Sequence, residues 1–143
     1  MIWHEQGIWY TMADSLMFQI GVDLIEIGRI ETAIERWGER FFTRVYTPAE
    51  RAHCRNRIPE LAARFAAKEA VMKALGTGIR GVGWQEIEVL PNSNGKPLVY
   101  LHGGAQEKAE ELGLHNLAIS LSHSQEYAIA SVIGDSSEDS NNK

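Results

Sequence analysis

Two carboxylates and one lysine have the types and positions needed to handle a phosphorylated ligand. Asp23 lies in a short stretch of alternating character, residues 18–25, which predicts a strand with Asp23 on the face opposite its apolar residues. Glu69 and Lys73 lie four residues apart in an alanine-rich segment, so they can share one face of a helix. One carboxylate from a strand and one from a helix can bind Mg²⁺, which takes few protein oxygens and completes its shell with water and phosphates.

The alanine-rich segment, residues 64–78, is the second candidate for chemistry. It concentrates charges among small residues, which let a ligand or another backbone come close. Arg64 and Lys68 can share a helical face, and the turn Gly76-Thr77-Gly78 can offer backbone N–H groups to a phosphate. The alternative is an exposed helix whose charged pairs are ordinary solvated surface features.

Two further polar groups can reach a ligand. Ser122, His123 and Ser124 lie in a predicted strand connection, although they can equally be turn residues. A hydrolase triad is not indicated, because the G-x-S-x-G signature is missing.

The first predicted helix carries a row of arginines opposite its apolar stripe, if that helix continues past Gly38. This row is either an ordinary solvated face or a docking site for an acidic protein. Its members are Arg29, Arg36, Arg40 and Arg44.

Periodicity and turn residues predict the elements that must position these groups. Thr47-Pro48-Ala49-Glu50 has the pattern of a helix start with a capping box. The predicted order is strand, three helices, two strands, helix and two strands, which indicates an α+β domain with a mainly antiparallel sheet packed against helices. The predicted strands are 18–25, 84–90, 98–102, 117–121 and 127–133, and the predicted helices start near 27, 47, 60 and 105.

Length and composition predict a single folded domain. The chain has 143 residues, of which 44% are hydrophobic and 23% charged. A net charge of -5 argues against general binding to nucleic acid or to an anionic membrane. A single cysteine and the lack of an apolar run of about 20 residues indicate a cytoplasmic protein that is not inserted in a membrane. We expect an extension at 1–17, a domain at 18–134 and a polar tail at 135–143.

Four segments together resemble the holo-[acyl-carrier-protein] synthases of the 4'-phosphopantetheinyl transferase family. They are I-G-V-D-L-I-E-I-G-R-I at 20–30, R-F-A-A-K-E-A-V-M-K-A-L-G-T-G at 64–78, N-G-K-P at 94–97 and S-L-S-H-S at 120–124. Order, spacing and length all agree with the family. The resemblance covers residues 18–134, and its long central motif is highly specific.

The resemblance implies a homotrimer that binds coenzyme A and Mg²⁺ in clefts between subunits. Asp23 and Glu69 would bind the metal and, with Lys73, form the catalytic group. The resemblance places Arg29 and Arg40 against the carrier protein, and we expect Arg36 and Arg44 of the same row to bind it as well. The resemblance also implies the following contacts to coenzyme A: Arg64, Lys68, Lys73, Gly76, Thr77, Gly78, Asn94, Gly95, Lys96, Pro97, His123 and Ser124.

The expected reaction transfers 4'-phosphopantetheine from coenzyme A to a serine of apo acyl carrier protein in fatty acid biosynthesis, and it releases 3',5'-ADP. Two alternatives remain open from the residues alone. One is a catalytically silent coenzyme-binding module, which would have no need of paired carboxylates. The other is a magnesium-dependent phosphohydrolase that uses the same pair with water as the nucleophile.

Overall fold

A computed structural model of the chain describes residues 18–136 and, before them, residues 2–3 and 9–10. The remaining residues of the predicted extension and tail lie outside the described residues. The antiparallel strands and packed helices confirm the α+β class. The elements are β1 (Ile2–Trp3), β2 (Trp9–Tyr10), β3 (Phe18–Glu26), α1 (Ile27–Trp37), α2 (Glu39–Val45), α3 (Pro48–Cys54), α4 (Ile58–Leu75), α5 (Gly78–Gly81), a 3₁₀ turn (Trp84–Glu86), β4 (Ile87–Pro91), β5 (Pro97–Leu101), α6 (Gly103–Glu111), β6 (Asn116–His123) and β7 (Tyr127–Asp135).

An antiparallel sheet and one long helix form the centre of the fold. The sheet has the strand order β3-β7-β6. Side chains alternate across a strand, and Gly21, Asp23 and Ile25 lie on the buried face of β3. Helix α4 packs against β3 and β7, and its alanines are buried along most of its length. The small side chains of the alanine-rich segment therefore serve close packing of helix on sheet.

One glycine determines how closely α4 approaches β3. A Cβ atom added to Gly21 would lie 1.8 Å from the carbonyl oxygen of Ala70 and 3.1 Å from the backbone nitrogen of Ala74. Both atoms belong to the backbone of α4, which cannot move aside as the end of a flexible side chain can. The same close approach brings Asp23, two residues further along β3, toward α4.

The first predicted helix is divided into two. Gly38 has φ of 54° and ψ of -130°, a conformation that favours glycine, and it separates α1 from α2. Its N–H donates to the carbonyl oxygen of Ile34 at 2.8 Å and closes α1. The four arginines therefore do not form a row on one continuous helix, because Arg40 and Arg44 follow the break.

The predicted helix start at residue 47 is confirmed. The hydroxyl of Thr47 accepts a hydrogen bond from the backbone N–H of Glu50 at 3.2 Å, and the Glu50 carboxylate accepts one from the N–H of Thr47 at 2.9 Å. The next helix, α4, begins at Ile58 rather than near residue 60, because Pro59 is accommodated in its first turn. Within the described part of the chain, no helix has both the length and the apolar character needed to cross a bilayer.

The other face of the central sheet is apolar and exposed. We call the following residues the outer sheet face: Ile20, Val22, Leu24, Ile129 and Ile133. Ile20 pairs with Ile133 and Leu24 pairs with Ile129, so the exposed side chains form one continuous patch. Ile20 is 68% exposed. The predicted placement of Asp23 on the side of β3 opposite its apolar residues is therefore confirmed.

Substitution of Gly21 by alanine tests the close packing of α4 on β3. We expect Gly21→Ala to lower the free energy of unfolding by about 3 kcal/mol or more, because the new methyl group meets helix backbone. Gly28→Ala is the matched control, since a Cβ at Gly28 in α1 has nothing within 4 Å. Alanine favours a helix over glycine, so this control should keep or slightly raise stability. Urea denaturation of both variants measures the effect, and equal stabilities would contradict the account.

Candidate active site

The carboxylates of Asp23 and Glu69 meet where β3 and α4 are in contact. Asp23 is on the buried face of β3 and is 9% exposed. Glu69, half-buried on α4, interacts with the Asp23 carboxylate both through charge and through a hydrogen bond. Lys73, one turn further along α4, donates from Nζ to Asp23 Oδ1 at 3.1 Å and to the carbonyl oxygen of Val22 at 2.9 Å. The structure thus brings the three predicted catalytic residues together.

One carboxyl group of the pair has a raised pKa. Burial, the negative charge of Asp23 and the hydrogen bond with Asp23 raise the pKa of Glu69 from 4.5 to about 7. The positive charges of Lys73 and Arg29 act in the opposite direction and only partly offset this rise. Two neighbouring carboxylates that interact in this way are stabilised by a shared proton or by a cation. The site therefore suits a cation that can replace the proton near neutral pH.

The donor set fits Mg²⁺ better than a metal that needs a full protein cage. Among the described residues, no group of three or more histidine, cysteine, aspartate or glutamate side chains is placed to hold a metal. Two carboxylates are enough for Mg²⁺, which usually keeps several waters and binds substrate phosphates. Asp23 and Glu69 are the residues that would hold such an ion.

A cleft on another side of α4 has a volume of about 600 Å³. Side chains of α3, α4 and β6 and the loop between β4 and β5 line it: His53, Arg57, Glu60, Ala63, Arg64, Pro91, Asn92, Ser93, Gly95, Pro97, Leu121 and His123. Several of these side chains carry positive charge or can acquire it. The cleft is therefore suited to an anionic ligand.

Arg64 is the most buried charged group of this cleft. Its side chain is only 4% exposed, and Nη1 donates to Glu60 Oε2 at 2.7 Å. The Nε atom is buried without a hydrogen-bond partner among the described residues. His123 Nε2 lies 4.0 Å from Glu60 Oε1. Arg64 and His123, predicted from separate motifs, therefore converge on one carboxylate at the cleft wall.

The loop between β4 and β5 contributes backbone shape to the cleft. The Asn92 side chain accepts hydrogen bonds from the N–H groups of Asn94 and Lys96 at 2.9 and 3.0 Å, and this turn shapes the loop. Gly95 and Pro97 line the cleft, and their expected contacts to coenzyme A remain predictions. Asn94 and Lys96 are exposed and are not among the lining residues. Their expected contacts to coenzyme A thus remain predictions.

Ser124 has a local structural role beside the cleft. Its hydroxyl accepts hydrogen bonds from the N–H groups of Glu126 and Tyr127 at 3.3 and 3.2 Å, which shapes the turn between β6 and β7. Ser124 also lines a smaller groove together with His123 and Leu24. His123 borders both the cleft and this groove, so it lies between the cleft and the outer sheet face.

Lys68 lies outside the candidate site, contrary to expectation. Its side chain is fully buried, and Nζ donates to Glu50 Oε1 at 2.7 Å and to the carbonyl oxygens of Trp84 at 3.0 Å and Ile87 at 2.5 Å. An ammonium group has three hydrogens to donate, and these three acceptors use all of them. Lys68 therefore ties α4 to α3 and to the start of β4, and it has no donor left for coenzyme A.

The Gly76-Thr77-Gly78 turn also differs from expectation. The N–H of Gly76 donates to the carbonyl oxygen of Lys73 at 3.1 Å, and the N–H of Thr77 donates to that of Met72 at 3.2 Å. Gly76 has φ of 72°, as is common where a helix ends. These two N–H groups close α4 and are not offered to a phosphate. The turn still begins three residues beyond Lys73, on the same end of α4 as the carboxylate pair.

The four predicted docking arginines are all exposed. Arg40 and Arg44 border a groove of about 520 Å³ that also contains the side chains of Trp37, Phe41, Val45, Phe65 and Trp84. Arg36 lies over the Trp37 ring with its guanidinium carbon 5.0 Å from the ring centre. Arg29 is near enough to the carboxylate pair to affect the pKa of Glu69. A basic and aromatic surface therefore extends from the pair across α1 and α2.

Comparison with known proteins decides the family. A family model described as the 4'-phosphopantetheinyl transferase superfamily matches residues 19–132. The chain belongs to this superfamily. It is 54% identical over 125 residues to the holo-[acyl-carrier-protein] synthase of Herpetosiphon aurantiacus, with 82% of this chain and 98% of the relative covered. The corresponding protein of Dehalococcoides mccartyi strain CBDB1 is 52% identical over 117 residues, with the same coverage.

A solved structure supports the same relationship. The crystal structure of the Helicobacter pylori holo-[acyl-carrier-protein] synthase in complex with coenzyme A has a TM-score of 0.75 and 32% identity to this chain. The match covers 81% of this chain and 99% of the crystallised one. The resemblance to holo-[acyl-carrier-protein] synthases is therefore confirmed, and both the carboxylate pair and the cleft lie within the matched residues.

Four further residues line the cleft that were not predicted from the sequence: Glu60, His53, Arg57 and Asn92. The sequence does contain a signal for Glu60, because a glutamate four residues before Arg64 on a helix is expected to form an ion pair with it. His53 comes from α3, and only the packing of α3 beside α4 brings it to the cleft. Arg57 is the N-cap residue of α4 and lies one turn before Glu60.

The titration of Glu69 tests the geometry of the carboxylate pair. In metal-free buffer, carbon NMR of the Glu69 carboxyl should show an apparent pKa of about 7. Asp23→Asn should lower this pKa toward 4.5, because it removes the neighbouring negative charge. Glu107→Gln on the exposed surface of α6 should leave it unchanged. A Glu69 pKa near 4.5 in the unmodified protein would contradict the proposed proximity.

The same shift predicts the pH dependence of stability. The folded protein holds the Glu69 proton more tightly than the unfolded chain does. The contribution of Glu69 to the free energy of unfolding is therefore fully present below about pH 4.5 and is lost as the pH rises through about 7. Urea denaturation of the unmodified protein and of Glu69→Gln across this range should show the difference between them falling in that direction.

Proposed function

We propose that this chain transfers 4'-phosphopantetheine from coenzyme A to a serine of apo acyl carrier protein and releases 3',5'-ADP, in support of fatty acid biosynthesis. The observation that carries the proposal is the meeting of Asp23, Glu69 and Lys73 at the contact between β3 and α4. The named relatives are holo-[acyl-carrier-protein] synthases, and a structural relative was crystallised in complex with coenzyme A. The cytoplasm is the proposed place of the reaction.

We propose that the reaction depends on Mg²⁺ held by Asp23 and Glu69. The ion would stabilise the negative charge that develops on the pyrophosphate during phosphoryl transfer. Lys73 lies beside Asp23 with its side chain 56% exposed, so its ammonium can reach a phosphate oxygen. The carboxylates also suit a water molecule that takes the proton from the attacking serine. Each of these roles uses a group within one small region of β3 and α4.

Coenzyme A is proposed to use the cleft around Arg64 for its phosphate groups. Arg64 is buried and has an unpaired Nε donor, and His123 lies on the same wall. Buried donors of fixed position bind phosphate oxygens well, because little side-chain entropy is lost. The loop residues Gly95 and Pro97 would then contact the rest of the nucleotide.

The arginines of α1 and α2 are proposed to bind the carrier protein. Arg29 lies near the carboxylate pair, whereas Arg40 and Arg44 border the aromatic groove. On a chain with a net charge of -5, an exposed basic surface next to the catalytic group favours an acidic macromolecular partner. This feature favours a protein acceptor over water and thus favours transfer over simple hydrolysis.

We further propose a homotrimer with the active sites between subunits. Glu69 follows Arg64 by five residues, which corresponds to about 7.5 Å along α4 and about 140° around its axis. One subunit therefore presents its carboxylate pair and its Arg64 cleft on different sides. A coenzyme A molecule that uses both types of contact is best accommodated where two subunits meet, and the outer sheet face offers an apolar surface for that contact.

A transfer assay tests the function. The protein is incubated with coenzyme A, Mg²⁺ and apo acyl carrier protein, and the carrier mass is then measured by mass spectrometry. We expect a gain of one phosphopantetheine group, its loss when the metal is chelated, and its loss in Glu69→Ala. Glu107→Gln should retain transfer, since Glu107 is on the exposed surface of α6.

The other outcomes of this assay separate the alternatives. Tight binding of coenzyme A without a mass gain would support the silent binding module. Release of 3',5'-ADP without modification of the carrier would support a phosphohydrolase. Transfer that persists after chelation would contradict the role of Mg²⁺ while leaving the transferase assignment intact.

Sedimentation tests the trimer. Ile20→Asp places a charge in the outer sheet face, where the native side chain is 68% exposed within a single chain. We expect the unmodified protein to sediment as a trimer and Ile20→Asp to sediment as a folded monomer with little transfer activity. Leu112→Asp is the matched control, because Leu112 is also exposed but follows α6. A monomeric unmodified protein with full activity would contradict the shared site.

A further inference from the structure

Glu60 occupies the position beside Arg64 that a phosphate would need. Its Oε2 atom accepts a hydrogen bond from Arg64 Nη1 at 2.7 Å, which is the usual length of a charge-assisted bond from arginine to a carboxylate or phosphate oxygen. Its other oxygen, Oε1, lies 4.0 Å from His123 Nε2. One carboxylate therefore faces both groups that are proposed to bind coenzyme A phosphates.

The two partners in this ion pair differ in their freedom to move. The Arg64 side chain is 4% exposed, whereas that of Glu60 is 30% exposed. Glu60 is in the first turn of α4 and lines the cleft, so its carboxylate can rotate toward solvent. Arg64 is enclosed and has no comparable freedom. When an anion enters the cleft, Glu60 is thus the partner that moves.

The carboxylate satisfies the guanidinium only in part. Besides the bond to Glu60 Oε2, Nη1 has one longer contact of 3.5 Å to the backbone carbonyl oxygen of Glu60. Arg64 Nε is buried without a partner among the described residues. A buried donor without an acceptor is costly, and a phosphate with several oxygens can accept from Nε and from Nη1 together.

We propose that Glu60 is an internal competitor for the phosphate site. It pairs with Arg64 in the free protein and must leave Arg64 when a phosphate group of coenzyme A binds. The guanidinium of Arg57 also faces the cleft and favours the incoming anion over the resident carboxylate. The rings of His53 and His123 line the same cleft and can donate hydrogen bonds to an anion. Glu60 thereby keeps the affinity for coenzyme A below the value that the cleft would otherwise reach. This inference rests on the proposed function.

Binding of coenzyme A measured by isothermal titration calorimetry tests the competition. We expect Glu60→Gln to lower the Kd by about three- to fivefold, since a partly exposed ion pair no longer has to be broken. The matched control Glu107→Gln removes the same charge from the surface of α6 and should leave the Kd unchanged. Thermal melts of each variant check folding, and Glu60→Ala serves as a second variant with the same expected direction.

An Arg64→Ala background separates competition from a structural effect. In that background the Arg64 guanidinium, for which Glu60 and a phosphate group compete, is absent. Glu60→Gln should therefore no longer lower the Kd for coenzyme A by more than the control variant does. An unchanged or higher Kd for Glu60→Gln in the native background would overturn the inference while the transferase assignment stands. If the unmodified protein does not bind coenzyme A at all, the inference and the proposed function fail together.

Discussion

The repulsion between the carboxylates of Asp23 and Glu69 is the interaction on which the proposed site depends. Close backbone packing holds them near each other, because Gly21 lets α4 approach β3 to a distance that any side chain would prevent. The charged form of Glu69 is disfavoured in this arrangement, because burial and the negative charge of Asp23 raise its pKa to about 7. The stability of the fold thus holds two negative charges close together. A proton, the ammonium of Lys73 or a divalent cation can reduce the repulsion between them.

Helix α4 gives different environments to charged residues that are close neighbours in sequence. Glu69 and Lys73 are directed toward β3, and Arg64 is directed toward the cleft. Lys68 is buried in an ion pair with Glu50, whose carboxylate also accepts the N–H of Val89. A buried pair of this kind is strongly destabilised when one partner is removed, so it constrains how α3, α4 and β4 fit together. The charges of the central motif therefore divide between chemistry and architecture.

Local sequence signals predicted the parts of the fold that are determined locally. The capping box at Thr47 and Glu50 depends on residues three apart, and it is present as predicted. The side of β3 occupied by Asp23 follows from alternation alone. Gly38 shows the limit of periodicity, because the apolar stripe continues from α1 to α2 although the backbone turns between them.

The parts of the site that sequence did not predict depend on tertiary contacts. The spacing of Arg64 and Lys68 places them on one face, yet spacing carries no information about which partners surround each group. The acceptors of Lys68 come from α3 and from the segment leading into β4, between 16 and 19 residues away. The alanines of α4 also do not show which side of the helix packs against the sheet. A small residue is compatible both with a bound ligand and with a closely packed strand.

Measurement of metal binding tests directly whether the carboxylates of Asp23 and Glu69 hold a divalent cation. Mn²⁺ in place of Mg²⁺ permits detection by electron paramagnetic resonance, with coenzyme A present and with the Asp23→Asn and Glu69→Gln variants compared under the same conditions. We expect one bound Mn²⁺ for each chain and a loss of affinity of more than about tenfold in either variant. Mn²⁺ binding of unchanged affinity in both variants would show that the two carboxylates do not hold the ion.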